Sequence, residues 1–111
     1  MSYLLIPTRV GLPDYSMRTS LDGRDFNLRF VWNMREERWY MDIRTDIDEP
    51  LALGVKIVSN WPLLRGAEFD LRLPQGMFVA IDATNDGSPP GLYDFAIGKR
   101  VELSYSPVAV P

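Results

Sequence analysis

The chain has 111 residues, 46% hydrophobic and 24% charged, the size and balance of one soluble globular domain spanning 1–111. It contains neither histidine nor cysteine, which excludes imidazole bases, thiol nucleophiles, disulfides and His/Cys zinc sites together. Twelve Lys and Arg against fifteen Asp and Glu give a formal charge of -3, the wrong sign for a domain held on phosphate backbones, so no nucleic-acid partner is expected. The N-terminal run Met1-Ser2-Tyr3-Leu4-Leu5-Ile6-Pro7 has no basic leader and no small-residue cleavage site, and is not expected to be a secretion signal. No stretch approaches the roughly 18 to 20 apolar residues of a spanning helix, so no membrane partner is expected, and the lack of cysteine fits synthesis in a reducing cytoplasm.

Along the chain a period of two prevails, which is the signature of strands with one buried face. In 24–33, Phe26, Leu28, Phe30 and Trp32 share a face, opposite Asn27, Arg29, Val31 and Asn33. Leu21-Asp22-Gly23-Arg24 predicts a two-residue type I′ hairpin that pairs 14–21 with this strand. Asn33-Met34-Arg35-Glu36-Glu37 is a longer charged turn, after which 38–46 places Trp39, Met41, Ile43 and Thr45 inward and Tyr40, Asp42, Arg44 and Asp46 outward. Asp46-Ile47-Asp48-Glu49-Pro50 closes the next connection, and 51–59 puts Leu51, Leu53, Val55 and Ile57 on one face with Gly54 opposite, a candidate bulge.

The pattern changes at Asn60-Trp61-Pro62-Leu63-Leu64-Arg65-Gly66, which reads as a short helical or irregular connector. Strand alternation returns in 77–82 and 99–106, separated by the turn-rich Asn85-Asp86-Gly87-Ser88-Pro89-Pro90-Gly91, and the tail 107–111 is expected to fray. About seven strands with short turns predict an all-β fold, a small antiparallel barrel or sandwich, with the barrel slightly favoured.

Chemistry-bearing patterns are sparse. Asp82-Ala83-Thr84-Asn85-Asp86-Gly87 opens like a calcium loop, but Tyr93 stands where the bidentate glutamate belongs, so a hydrogen-bonded Asp/Asn turn is expected and no metal. Asp46, Asp48 and Glu49, and Glu36 with Glu37, read as solvated turn acids rather than a general acid and base. With no Gly-x-Ser-x-Gly, Walker or dinucleotide signature, neither enzymatic activity, catalytic residues nor a cofactor is expected. Phe30, Trp32, Trp39 and Tyr40 on neighbouring strands could form a stacking groove, although alternation assigns the first three to the core. Trp61-Pro62-Leu63-Leu64 either caps one end of the β structure or contacts a partner, which makes Trp61, Leu63 and Leu64 the candidate partner-interface residues.

Several of these segments recur in a recognisable order: Arg38-Trp39-Tyr40-Met41-Asp42-Ile43, Leu53-Gly54-Val55-Lys56-Ile57-Val58, Asn60-Trp61-Pro62-Leu63-Leu64, Asn85-Asp86-Gly87 and Arg100-Val101-Glu102-Leu103-Ser104-Tyr105. Together they resemble the phage baseplate plug family, small tail proteins described from a cyanophage baseplate. The resemblance spans nearly the whole chain, with 1–14 less typical of the family and 107–111 an additional segment at the end. It implies a non-enzymatic β domain of the virion, central in the tail baseplate and closing or shaping the tube lumen. The partners it implies are hub, tail-tube and tape-measure proteins, in a symmetric oligomer within the tail, with the chain soluble in the host cytoplasm during assembly. The alternative function is a small β-barrel binding module for a glycan or other ligand.

Overall fold

In a computed structural model, which describes residues 3–21, 23–64, 76–85 and 87–106, the chain is all-β. Asp22, Asp86, 65–66 of the connector and the tail 107–111 lie outside the described residues. Seven strands, β1 Leu4–Leu5, β2 Asp14–Leu21, β3 Arg24–Asn33, β4 Arg38–Thr45, β5 Pro50–Lys56, β6 Met77–Asp82 and β7 Val101–Ser106, form two antiparallel sheets. One has the order β2-β3-β4-β5 and the other β1-β7-β6. Among the described residues the two do not join into a closed cylinder, so the architecture is sandwich-like, the other of the two shapes expected, rather than the slightly favoured barrel. Period-two alternation is common to both shapes. What separates them is whether the last strand finds the first, and that depends on pairings distant in sequence.

The β2–β3–β4 meander follows the alternation closely. Leu21 faces Arg24 across the predicted two-residue turn, where Gly23 takes a φ of 79°. At the next hairpin the Asn33 side-chain oxygen accepts the N–H groups of Arg35 and Glu36 at 3.0 and 3.1 Å, so a local side chain supplies the acceptors that the ladder no longer offers. Phe26, Leu28 and Phe30 of β3 and Trp39, Met41 and Ile43 of β4 are buried, whereas Trp32, at the far end of β3, is half-buried against the core. The other sheet adds Phe78 and Ala80 from β6 and Val101, Leu103 and Tyr105 from β7. Ile6, Ile57 and Phe95 reach the same buried cluster from outside the strands.

Strand β5 departs from simple alternation. Met41 pairs with Val55 but Ile43 pairs with Ala52, so three residues of β5 span what two of β4 span, the count of a β-bulge. The bulge changes the phase locally: Ala52 turns towards the core and Leu53, which alternation placed inward, is 56% exposed, while Leu51, beyond a second register shift, and Val55 stay packed against the core. Gly54 takes a φ of 68° at this point, and the Asp42 carboxylate accepts its N–H at 2.7 Å. The glycine was legible as a bulge, but its effect on Leu53 was not. Strand β1 was not anticipated either; its two residues pair with Tyr105 and Ser104 on the open side of β7, and Ile6 extends the contact by donating to the Leu103 carbonyl at 2.8 Å.

Candidate interaction surface

After β5 the described residues 57–64 run along the outer edge of β6 without forming a helix. Ser59 bridges Ala80 and Pro62 bridges Val79, while the N–H groups of Asn60 and Leu63 donate to the carbonyls of Ala80 and Phe78 at 2.8 and 3.0 Å. Over its described residues, 60–64, the connector is therefore irregular. Pro62 cannot donate, and a strand would need one donor at every second position; the segment instead touches the edge at separate points.

Asn60 sets its geometry. Its φ is 63°, a region asparagine tolerates, and its side-chain oxygen accepts the Asp82 N–H at 2.9 Å. The turn it makes leaves Trp61 59% exposed, whereas Leu63 and Leu64 are half-buried and pack against the core. The three candidate residues are thus adjacent in the chain but placed differently: two anchor the connector, and the indole stands in solvent. It borders a shallow depression shared with Arg38, Val58, Asn85 and Pro89.

The loop behind this depression is fastened by one ionic network. The Asp82 carboxylate accepts the Thr84 hydroxyl and N–H at 2.6 and 2.9 Å with one oxygen, and Arg100 at 2.6 Å with the other. Arg100 also donates to Asp94 at 2.8 Å and to the Pro89 carbonyl at 2.9 Å, and Asp94 in turn receives the Gly91 N–H. Thr84, then Arg100, holds the Asp82 carboxyl below the usual carboxylate range, so it stays ionised in place. The resemblance to a calcium loop resolves here into an Asp-Thr turn, its carboxylate oxygens already engaged by hydrogen bonds and an arginine. Among the described residues no group of three or more acidic side chains is placed to hold a metal ion.

The other motifs also find local explanations. Glu36, Glu37, Asp46, Asp48 and Glu49 are exposed turn residues, and Glu36 accepts the Tyr40 hydroxyl, which raises the phenol above its usual range. Phe30 and Trp39 are fully buried, and Trp39 forms ring contacts with Tyr15, Trp32 and Phe95 while donating its indole N–H to the Gly91 carbonyl at 2.9 Å. Of the four rings considered for a stacking groove, Phe30 and Trp39 are core, whereas Trp32 and Tyr40 are half-buried.

Sequence reasoning missed a second apolar surface. Val10, Leu12 and Tyr93 are exposed, and Gly11 joins the two segments by donating to the Leu92 carbonyl at 3.1 Å and lying against the Tyr93 ring. No strand alternation marks 7–13, so a pattern search had nothing to detect there. The segment is fixed by contacts to a loop some eighty residues away.

No helix among the described residues is long and apolar enough to cross a membrane. Among curated proteins, no relative matches the chain. The family described as cyanophage baseplate Pam3 plug gp18 matches residues 3–108, which takes in the N-terminal segment as well as the motifs from Arg38 onward. An all-β sandwich whose polar clusters serve its own turns, matched over nearly its whole length, is thereby placed: the chain belongs to the cyanophage baseplate plug family.

Proposed function

We propose that this chain is a single structural domain that sits at the centre of a phage tail baseplate, where it contacts hub and tail-tube proteins and closes or shapes the tube lumen, with the tape-measure protein as a further neighbour. It acts by packing and carries out no catalysis. The observation that carries this reading is the family match over residues 3–108. The exposed Trp61 supports it physically: a large aromatic held in water on a connector tied to β6 can release that water against a partner with little loss of conformational freedom. Leu63 and Leu64 contribute by holding the connector in place.

The test is affinity purification of the tagged chain from cells that also make the other tail components, read by mass spectrometry. Recovery with hub and tube proteins is expected, and Trp61→Asp should abolish it while the variant still unfolds cooperatively. Recovery of the wild-type chain without any tail protein would overturn the proposal.

A further inference from the structure

Among the described residues the sheets end in four strands, and three of those edges are protected. Strand β1 has only two residues. The connector bridges β6 at Ala80 and Val79. Strand β5 begins with Pro50 and carries the Gly54 bulge, two devices that prevent an incoming strand from pairing. Strand β2 has neither. It runs for eight residues, Asp14–Leu21, in unbroken register with β3, and among the described residues no strand lies on its other side.

Its hydrogen-bonding parity can be read from the register. The two-residue turn makes Leu21 and Arg24 a hydrogen-bonded pair, and at the opposite end the Trp32 N–H donates to the Pro13 carbonyl at 2.7 Å. Odd-numbered residues of β2 therefore direct their backbone groups to β3. The N–H and C=O groups of Asp14, Ser16, Arg18 and Ser20 face outward from the sheet edge. Side chains alternate in the same way: Tyr15 and Met17 pack against the core, while Asp14, Ser16, Arg18 and Ser20 are exposed.

We infer that this edge pairs with the β2 of a second copy of this chain, antiparallel about a two-fold axis at Ser16, to make one continuous eight-stranded sheet. The charge pattern selects the copy and the register. An axis at Ser16 sets Asp14 opposite Arg18 of the second copy, twice by symmetry, and sets Tyr15 opposite Met17 on the core side. An axis at Arg18 would oppose two arginines, and an axis at Met17 would oppose Arg18 with Ser16 and leave both charges without a cross-strand partner. In the paired state Arg18 exchanges its contact with the exposed Asp46 carbonyl for a carboxylate, and Asp14 keeps Arg29 as a second partner. This pairing is a property of the chain itself and does not rest on the baseplate reading.

The test uses the full chain, whose lack of cysteine makes a single introduced thiol unambiguous. Sedimentation of the wild type should show a concentration-dependent dimer. Arg18→Asp should raise its Kd by about tenfold or more, and adding Asp14→Arg to that variant should restore it, since the swapped charges pair again. Under mild oxidation Ser16→Cys should cross-link quickly and Ser20→Cys should not, because only residue 16 meets its own copy. Circular dichroism confirms that each variant is folded. A wild-type chain that stays monomeric at several hundred micromolar overturns the inference. So does a dimer unaffected by Arg18→Asp, or equal cross-linking at the two positions.

Discussion

The three tryptophans allow the division between core and contact surface to be measured. Trp39 is fully buried among Tyr15, Trp32 and Phe95, so Trp39→Ala opens a cavity between the sheets and should cost about 3–5 kcal/mol, a large share of the ~5–15 kcal/mol that holds a domain of this size together. Trp61 is 59% exposed. If a tryptophan presents roughly 200 Å², the covered two fifths amount to about 80 Å², which at ~25 cal/mol per Å² bounds the cost of Trp61→Ala at about 2 kcal/mol. Urea unfolding followed by far-ultraviolet circular dichroism, which does not depend on the removed fluorophore, compares the two variants directly. Trp39→Ala should lose about one and a half times or more what Trp61→Ala loses, with an unchanged slope. Equal losses would refute the reasoning, because Trp61 would then be part of the fold and no longer a candidate for contact with other tail proteins.

Further outcomes follow from single contacts. Because Asp82 is held below its usual titration range in the folded chain, its contribution is complete above about pH 4 and is lost as pH falls through the depressed folded value; Asp82→Asn should lower the neutral-pH Tm and flatten the acid limb of a Tm-against-pH curve. Gly54→Val should cost about 1–2 kcal/mol in chemical unfolding through its φ of 68° alone, since nothing lies within 4 Å of the new Cβ, and Gly54→Asn should cost less. Gly76→Ala tests the opposite case: its Cβ would stand 2.3 Å from the Ser106 carbonyl oxygen, and the overpacking should cost about 1–3 kcal/mol by the same assay. Leu63→Asp places a charge among core contacts and should lower Tm far more than Trp61→Asp does in the same thermal melt.

The strands that the sequence made legible are those whose information is local. Alternation and a two-residue turn sufficed for β2, β3 and β4, because a wrong register there would carry Phe26, Leu28 and Phe30 into water. Strand β5 was readable in position and only partly in phase: Leu51 and Val55 pack against the core as alternation has it, whereas the bulge between them turns Leu53 outward, and Gly54 alone does not state which way. The N-terminal strand and the Gly11 contact were invisible, as both are fixed by partners at the other end of the chain. The same limit applies to the candidate site. Trp61, Leu63 and Leu64 are equally apolar in sequence, and what separates the exposed ring from the two anchored leucines is the positive φ of Asn60 and the backbone contacts to β6. Asp82 shows the converse, a residue whose neighbours in sequence resemble a metal loop and whose partner in space, Arg100, supplies the positive charge instead.

The place proposed for this chain is the axis of a tail baseplate. Electron cryomicroscopy of tails purified from cells with and without this chain tests it most directly. Density fitting the two-sheet sandwich is expected in the lumen at the distal end of the tube, present only when the chain is supplied. Complete tails whose axial density is the same without the chain would contradict it.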